Sequence, residues 1–145
     1  HPGCDELFLA DRKKTELNNK LVTVSKVTKL KEALISLNCN QSNSLENEPN
    51  LIDLIQTFSP PRIRRVHILE SANLEMAYVA CGRLDAYINP DDKIWDIAAG
   101  SLMINSAGGK TKVLNGTLES FSDKNIGIIA SNKHLICEIK KMLVY

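Results

Sequence analysis

The stretch from residue 84 to residue 114 constrains the fold most. Leu84–Ile88 is a short apolar run that reads as a strand, and Asn89-Pro90-Asp91-Asp92-Lys93 reads as a polar turn. Asp96–Ala107 has the composition of a helix, Gly108-Gly109 closes it, and Lys110–Leu114 is again a short strand. The same alternation holds on either side. Residues 62–69 predict a strand, followed by a helix over 72–81 with Leu74, Ala77, Tyr78 and Cys81 facing inward. Gly82 stands where a helix ends in a left-handed residue. Ile126–Ala130 predicts a buried strand, and a last helix starting near Asn132 presents Leu135, Ile136, Ile139, Met142 and Leu143. Strands alternating with helices predict an α/β chain, a layered αβα sandwich on a mixed sheet. Ligands in such sheets sit at the carboxyl ends of strands, beside helix N-termini.

The first third of the chain is less regular. Residues 6–10 and 20–24 read as two strands joined by a polar turn ending in Asn18-Asn19. Two strands alone are marginal in water, so they are expected to belong to a larger sheet. Thr28 can cap a helix whose face is Leu30, Ala33, Leu34 and Leu37. Residues 38–50 read as a loop, and a helix with Leu51, Leu54, Ile55 and Phe58 on one face is stopped by Pro60-Pro61. We therefore divide the chain into remnant strands of an upstream sheet, residues 1–27, and a C-terminal α/β domain, residues 28–145.

Composition narrows the function classes. The net charge of +1 gives no electrostatic case for nucleic acid or for a membrane surface. No apolar stretch approaches the ~20 residues of a membrane span, and His1-Pro2-Gly3-Cys4-Asp5 shows neither the basic region nor the apolar run of a signal peptide. It reads as the middle of a domain, so sequence upstream is expected. The four cysteines, Cys4, Cys39, Cys81 and Cys137, form no CxxC pair. They are expected to be buried, reduced thiols in a cytoplasmic protein.

Trp95-Asp96-Ile97-Ala98-Ala99-Gly100 is the segment that carries chemistry. A carboxylate in the first turn of a helix is favoured by the free backbone N–H groups and the helix dipole. An ionised, oriented carboxylate suits a hard cation such as Mg²⁺. Ala98, Ala99 and Gly100 allow close packing behind the site, and Trp95 is expected to wall it off from water. Asp96 could equally be only a helix cap. His67, alone on an alternating strand, and Arg62, Arg64 and Arg65 have the same two readings, ligand-binding or solvated. Lys93 could balance carboxylates or point to solvent, and Asp91 and Asp92 are expected to be solvated.

The wider pattern favours the functional reading of Asp96. Ser71-Ala72-Asn73-Leu74-Glu75-Met76-Ala77-Tyr78-Val79-Ala80-Cys81-Gly82-Arg83-Leu84-Asp85-Ala86-Tyr87, then Trp95–Gly100, then Ala107-Gly108-Gly109, resembles the inositol monophosphatase superfamily. Asp5-Glu6-Leu7-Phe8-x-Ala10 and Ile63-Arg64-Arg65-Val66 extend the resemblance over most of the chain. It is most similar to the archaeal-type inositol monophosphatase and fructose-1,6-bisphosphatase branch, and to its C-terminal portion only. The resemblance implies the C-terminal part of that superfamily's αβαβα fold.

It also implies a Mg²⁺-dependent phosphomonoesterase acting on a sugar or cyclitol phosphate such as inositol 1-phosphate or fructose 1,6-bisphosphate. By position Asp96 matches the metal ligand of the WD motif. Ser71, Ala72 and Asn89 match substrate-contacting turns, with His67 a further candidate. Relatives carry Glu or Arg where Asn89 stands. The family's other ligands come from GxxE and DP-x-DGT motifs upstream of the segment resembling Asp5–Ala10, and that stretch has no counterpart here. The missing N-terminal half would come from the same or a separate chain, and a homodimer is implied. Glu70 stands where relatives have Gly and is expected to take a negative φ; residues 38–50 show no counterpart of the family's pocket lining. Two alternatives remain: a catalytically incomplete module with a structural or dimerisation role, and a 3′-phosphoadenosine phosphatase, which shares the WD-x-AAG motif.

Overall fold

The computed structural model describes residues 1–39, 50–114 and 126–143. Three short strands open it: β1 (Phe8–Ala10), β2 (Thr15–Leu17) and β3 (Lys20–Leu21), joined in an antiparallel meander. The expected pairing of residues 6–10 with 20–24 is replaced by this meander. The polar stretch Thr15-Glu16-Leu17 is itself the central strand, and Asn18 and Asn19 make the turn with φ of 49° and 62°. Asparagine tolerates that left-handed region better than most residues.

The main sheet has five strands: β4 (Leu34–Leu37), β5 (Arg65–His67), β6 (Ala86–Asp92), β7 (Lys110–Val113) and β8 (Ile126–Ser131). Their order is β5-β4-β6-β8-β7; β5, β4 and β6 are parallel, and β8 runs antiparallel to both β6 and β7. The fold is thus α/β with a mixed sheet.

Residues 28–37, expected as a helix, instead form a 3-10 turn at Leu30–Glu32 and then β4. Ile35, Ser36 and Leu37 are completely buried. A strand covered on both faces reads as a continuous apolar run, which periodicity cannot separate from a helix. Asp85 fixes its start: the Asp85 carboxylate accepts from Leu34 N at 2.6 Å, and Asp85 N donates to Leu34 O at 2.8 Å.

Four helices follow in chain order: α1 (Leu51–Thr57), α2 (Ala72–Ala80), α3 (Ile94–Ser106) and α4 (Leu135–Met142). Asn50 caps α1 reciprocally with Asp53. Side chains alternate across the sheet, as a pleated strand requires. Ile35, Leu37, Ile88 and Ile129 pack with Leu54 and Phe58 near α1 and Leu135 and Ile139 of α4. Tyr87, Ile128 and Ala130 pack with Met76, Val79, Ile97 and Ile104 of α2 and α3. Burying one such Ile or Leu side chain is worth about 1.5–3 kcal/mol.

Thr15 Oγ1 donates to Met103 O at 2.7 Å, and Ser106 Oγ donates to Asp11 O, so the small sheet lies on the other side of α3. The layers are therefore three-stranded sheet, α2 and α3, five-stranded sheet, α1 and α4. The helix pair α2–α3 approaches closely at Gly100, where an added Cβ would stand 2.6 Å from Met76 Cβ.

Cysteine burial differs from expectation. All four cysteines are free, but Cys4 and Cys137 are exposed and Cys39 and Cys81 only half-buried. Cys137 lies on the solvent side of α4, whose core face is Leu135, Ile136 and Ile139. Among the described residues no helix is long and apolar enough to cross a membrane.

Candidate active-site cleft

The parallel strands β4, β5 and β6 deliver their carboxyl ends to the same edge of the sheet. Each then continues into a wall of one cleft: Asn38 and Cys39 after β4, Ile68 and Glu70–Asn73 after β5, and Asn89 and Asp92 in β6. Leu51 of α1 and Asp96 of α3 complete it. Its volume is about 610 Å³, within the range of small-molecule sites. The first turns of α1, α2 and α3 all meet this edge.

Asp96 sits in the first turn of α3, half-buried, on the cleft wall. Ser71, Ala72 and Asn89 line the same cleft, so four of the five residues singled out in the sequence come together. His67 does not line it; it is the last residue of β5 and half-buried. Trp95 is 59% exposed and walls nothing off; Lys93 Nζ lies 5.9 Å from its ring centroid. Arg64, just before β5, and Arg65, its first residue, are exposed, and Arg62 donates to Gln56 O and Thr57 O at the end of α1.

Asp92 departs most from expectation. The polar run Asn89–Asp92 continues β6 rather than leaving it as a turn, with a register shift between Asn89 and Asp92. Asp92 is only 2% exposed. Tyr87 Oη donates to Asp92 Oδ2 at 2.7 Å, and Asn89 Nδ2 donates to Tyr87 Oη at 3.2 Å. Burial pushes the Asp92 carboxyl up to about 7, opposed by the tyrosine hydrogen bond and reinforced by the nearby negative charge of Asp96. Burial and the adjacent Asp92 carboxylate raise the Tyr87 phenol as well.

Glu75 is a second buried acid that local sequence pattern does not single out. It is completely buried in the first turn of α2, and its two oxygens accept from Ser36 Oγ, Asn38 Nδ2, Leu69 N and Ser71 N. The available signal was composition: Glu75 is the only charged residue in Ala72–Ala80, and a helix apolar on every side must bury its one charge. Glu70 takes φ 56° rather than the expected negative value, so a side chain occupies a conformation that glycine adopts freely. Within the segment 38–50, Asn38 and Cys39 do line the cleft, while 40–49 lie outside the described residues.

Mg²⁺ takes a near-octahedral set of oxygens, usually with one or two carboxylates plus substrate oxygens and water. Among the described residues, no group of three or more His, Cys, Asp or Glu could hold a metal. Asp96 and its neighbour Asp92 stand on one wall of the cleft, and these residues do not by themselves make a Mg²⁺ site.

The chain matches the model of the inositol monophosphatase family over residues 1–143. An inositol monophosphatase of Dictyostelium discoideum is 28% identical over 144 residues, covering 99% of this chain and 52% of the relative. The solved structure of the extragenic suppressor protein suhB from Bartonella henselae superposes with a TM-score of 0.81 at 30% identity, covering 99% of this chain and 56% of that one. A further structure, an IMPase/NADP phosphatase complexed with Mg²⁺ and phosphate, superposes with a TM-score of 0.77 at 26% identity, covering 97% of this chain and 51% of that one. The chain thus spans about half the length of these relatives. With that match over nearly its whole length, and with the cleft at the sheet edge where the family pattern falls, the chain belongs to the inositol monophosphatase family.

Proposed function

We propose that this chain is the C-terminal half of a Mg²⁺-dependent phosphomonoesterase acting on a sugar or inositol phosphate, inositol 1-phosphate or fructose 1,6-bisphosphate. One observation carries the proposal: Ser71 and Ala72 at the start of α2, Asn89 in β6 and Asp96 in α3 line one cleft at the carboxyl edge of the sheet. In this reading Asp96 is one metal ligand, and the remaining acidic ligands come from an upstream half in the same or a separate chain. Residues 1–27 then belong to the sheet of that upstream half, and residues 28–145 form the C-terminal domain. Mg²⁺ in a completed site would activate water and offset phosphoryl charge. Ser71 and Ala72 would meet the substrate outside its phosphate, and the neutral Asn89 amide would bind a hydroxyl rather than a second phosphate.

The test is phosphate release with Mg²⁺ from both substrates, by this chain alone and by this chain combined with an upstream half carrying the GxxE and DP-x-DGT motifs. Release is expected only from the combination. Turnover by the chain alone would overturn the half-site reading. No release from the combination would overturn the reading as an inositol or fructose phosphate phosphatase.

The described residues lack a metal-holding cluster, which favours a second reading: a non-catalytic module retained for assembly, which predicts a homodimer and no turnover in any combination. A 3′-phosphoadenosine phosphatase stays inside the enzyme class, and adding that substrate to the same assay separates it.

A further inference from the structure

We infer that Glu75 is the positioning residue of the cleft, the group that sets the turn carrying Ser71 and Ala72. The inference deepens the proposed function and rests on it for the identity of the ligand. Glu75 reaches two separate stretches of chain, residues 36–38 and residues 69–71. Its Oε1 accepts from Ser36 Oγ of β4 at 2.5 Å and from Leu69 N at 3.2 Å. Its Oε2 accepts from Asn38 Nδ2 at 2.6 Å and from Ser71 N at 3.0 Å. Leu69 and Ser71 flank Glu70, which is held at φ 56°. A left-handed conformation is unfavourable for any residue with a Cβ and persists only where its surroundings impose it. Here the imposing contacts are the two hydrogen bonds that the Leu69 and Ser71 amides donate to Glu75, one on each side of the strained residue.

The turn itself is exposed from Ile68 to Ser71 and contributes few buried contacts, so the carboxylate is its main anchor. The same carboxylate grips Asn38, on the facing wall. Glu75 touches no ligand position directly; it sets the separation of two cleft walls.

All four partners of Glu75 present a donor, and both of its oxygens accept. Glu75→Gln keeps size and shape but turns an NH₂ toward two of those donors.

The first arm is amide hydrogen exchange on this chain as it stands. Protection of Leu69 and Ser71 is expected to fall about tenfold in Glu75→Gln, the scale of one lost hydrogen bond to a charged group. Amides across the β6–β8 pair should keep theirs. Unchanged exchange at Leu69 and Ser71 would overturn the inference, and so would a loss of protection throughout the sheet, which would make Glu75 a general support of the fold. The second arm uses the combined protein. For inositol 1-phosphate, KM should rise about tenfold while kcat holds, and hydrolysis of p-nitrophenyl phosphate, which lacks the cyclitol hydroxyls, should be unaffected. Adding Glu70→Gly, which removes the strain, should restore part of the discrimination. Equal losses on both substrates would overturn the positioning role. If the unmutated combination hydrolyses neither substrate, the phosphatase reading falls, and the exchange arm still decides whether Glu75 holds the turn.

Discussion

Replacing Asp92 by asparagine should change how stability depends on pH. Asp92 is 2% exposed, and its carboxyl lies near 7 rather than the ordinary 3.8. Below pH 4 the group is neutral in both folded and unfolded chains and contributes no pH dependence. Between pH 4 and 7 the unfolded chain gives up this proton while the folded chain keeps it. Stability therefore falls as pH rises, and the full cost is reached only above the folded value. At ~1.4 kcal/mol per pH unit the displacement amounts to about 4 kcal/mol. In Asp92→Asn the side chain would keep an oxygen to accept from Tyr87 and would never ionise. The new NH₂ faces a buried setting and costs about 1–3 kcal/mol if unpartnered, a penalty independent of pH. The assay is urea unfolding of both proteins at pH 4 and pH 8, with EDTA present. The difference between variant and parent should move in the variant's favour by about 3–4 kcal/mol across that interval. A difference equal at the two pH values would refute the placement of Asp92 in the interior.

Two further substitutions test the packing. Gly100→Ala drives a methyl to 2.6 Å from Met76 Cβ and Sδ; forcing α2 and α3 apart should cost about 1–3 kcal/mol, read as a lower thermal midpoint. Asn132 is 1% exposed; its amide donates to Ser25 O and Val27 O, and its oxygen accepts from His134 N and Leu135 N. Asn132→Ala orphans several of these groups and should cost about 2–4 kcal/mol, measured as a shift in the urea midpoint.

What was legible in the sequence followed from periodicity and punctuation. The helix carrying Asp96, the helix over 72–81 and the strand Ile126–Ala130 were placed because apolar spacing, Gly82 and Gly108 agreed with one another. β4 was read as a helix because a strand buried on both faces loses its alternation. β2 was missed because its partners, not its polar residues, make it a strand. Asp92 and Glu75 were hidden for a common reason. A charge is read by default as solvent-facing, and the hydroxyls and amides that make its burial tolerable come from elsewhere in the chain: Ser36 and Asn38 for Glu75, Tyr87 for Asp92. The gathering of Asp96, Ser71, Ala72 and Asn89 was anticipated by the resemblance, whereas local pattern alone left both readings of Asp96 open.

The central claim is that Asp96 belongs to a metal-dependent phosphatase site completed from upstream. Asp96→Asn in the combined protein tests it most directly, through Mg²⁺-dependent phosphate release from inositol 1-phosphate. Amide and carboxylate are equal in size, so the fold should survive, as circular dichroism would verify. Activity should drop about a hundredfold or more, because a neutral amide is a poor ligand for a hard cation. An asparagine variant that releases phosphate as fast as the parent at every Mg²⁺ concentration would contradict the claim.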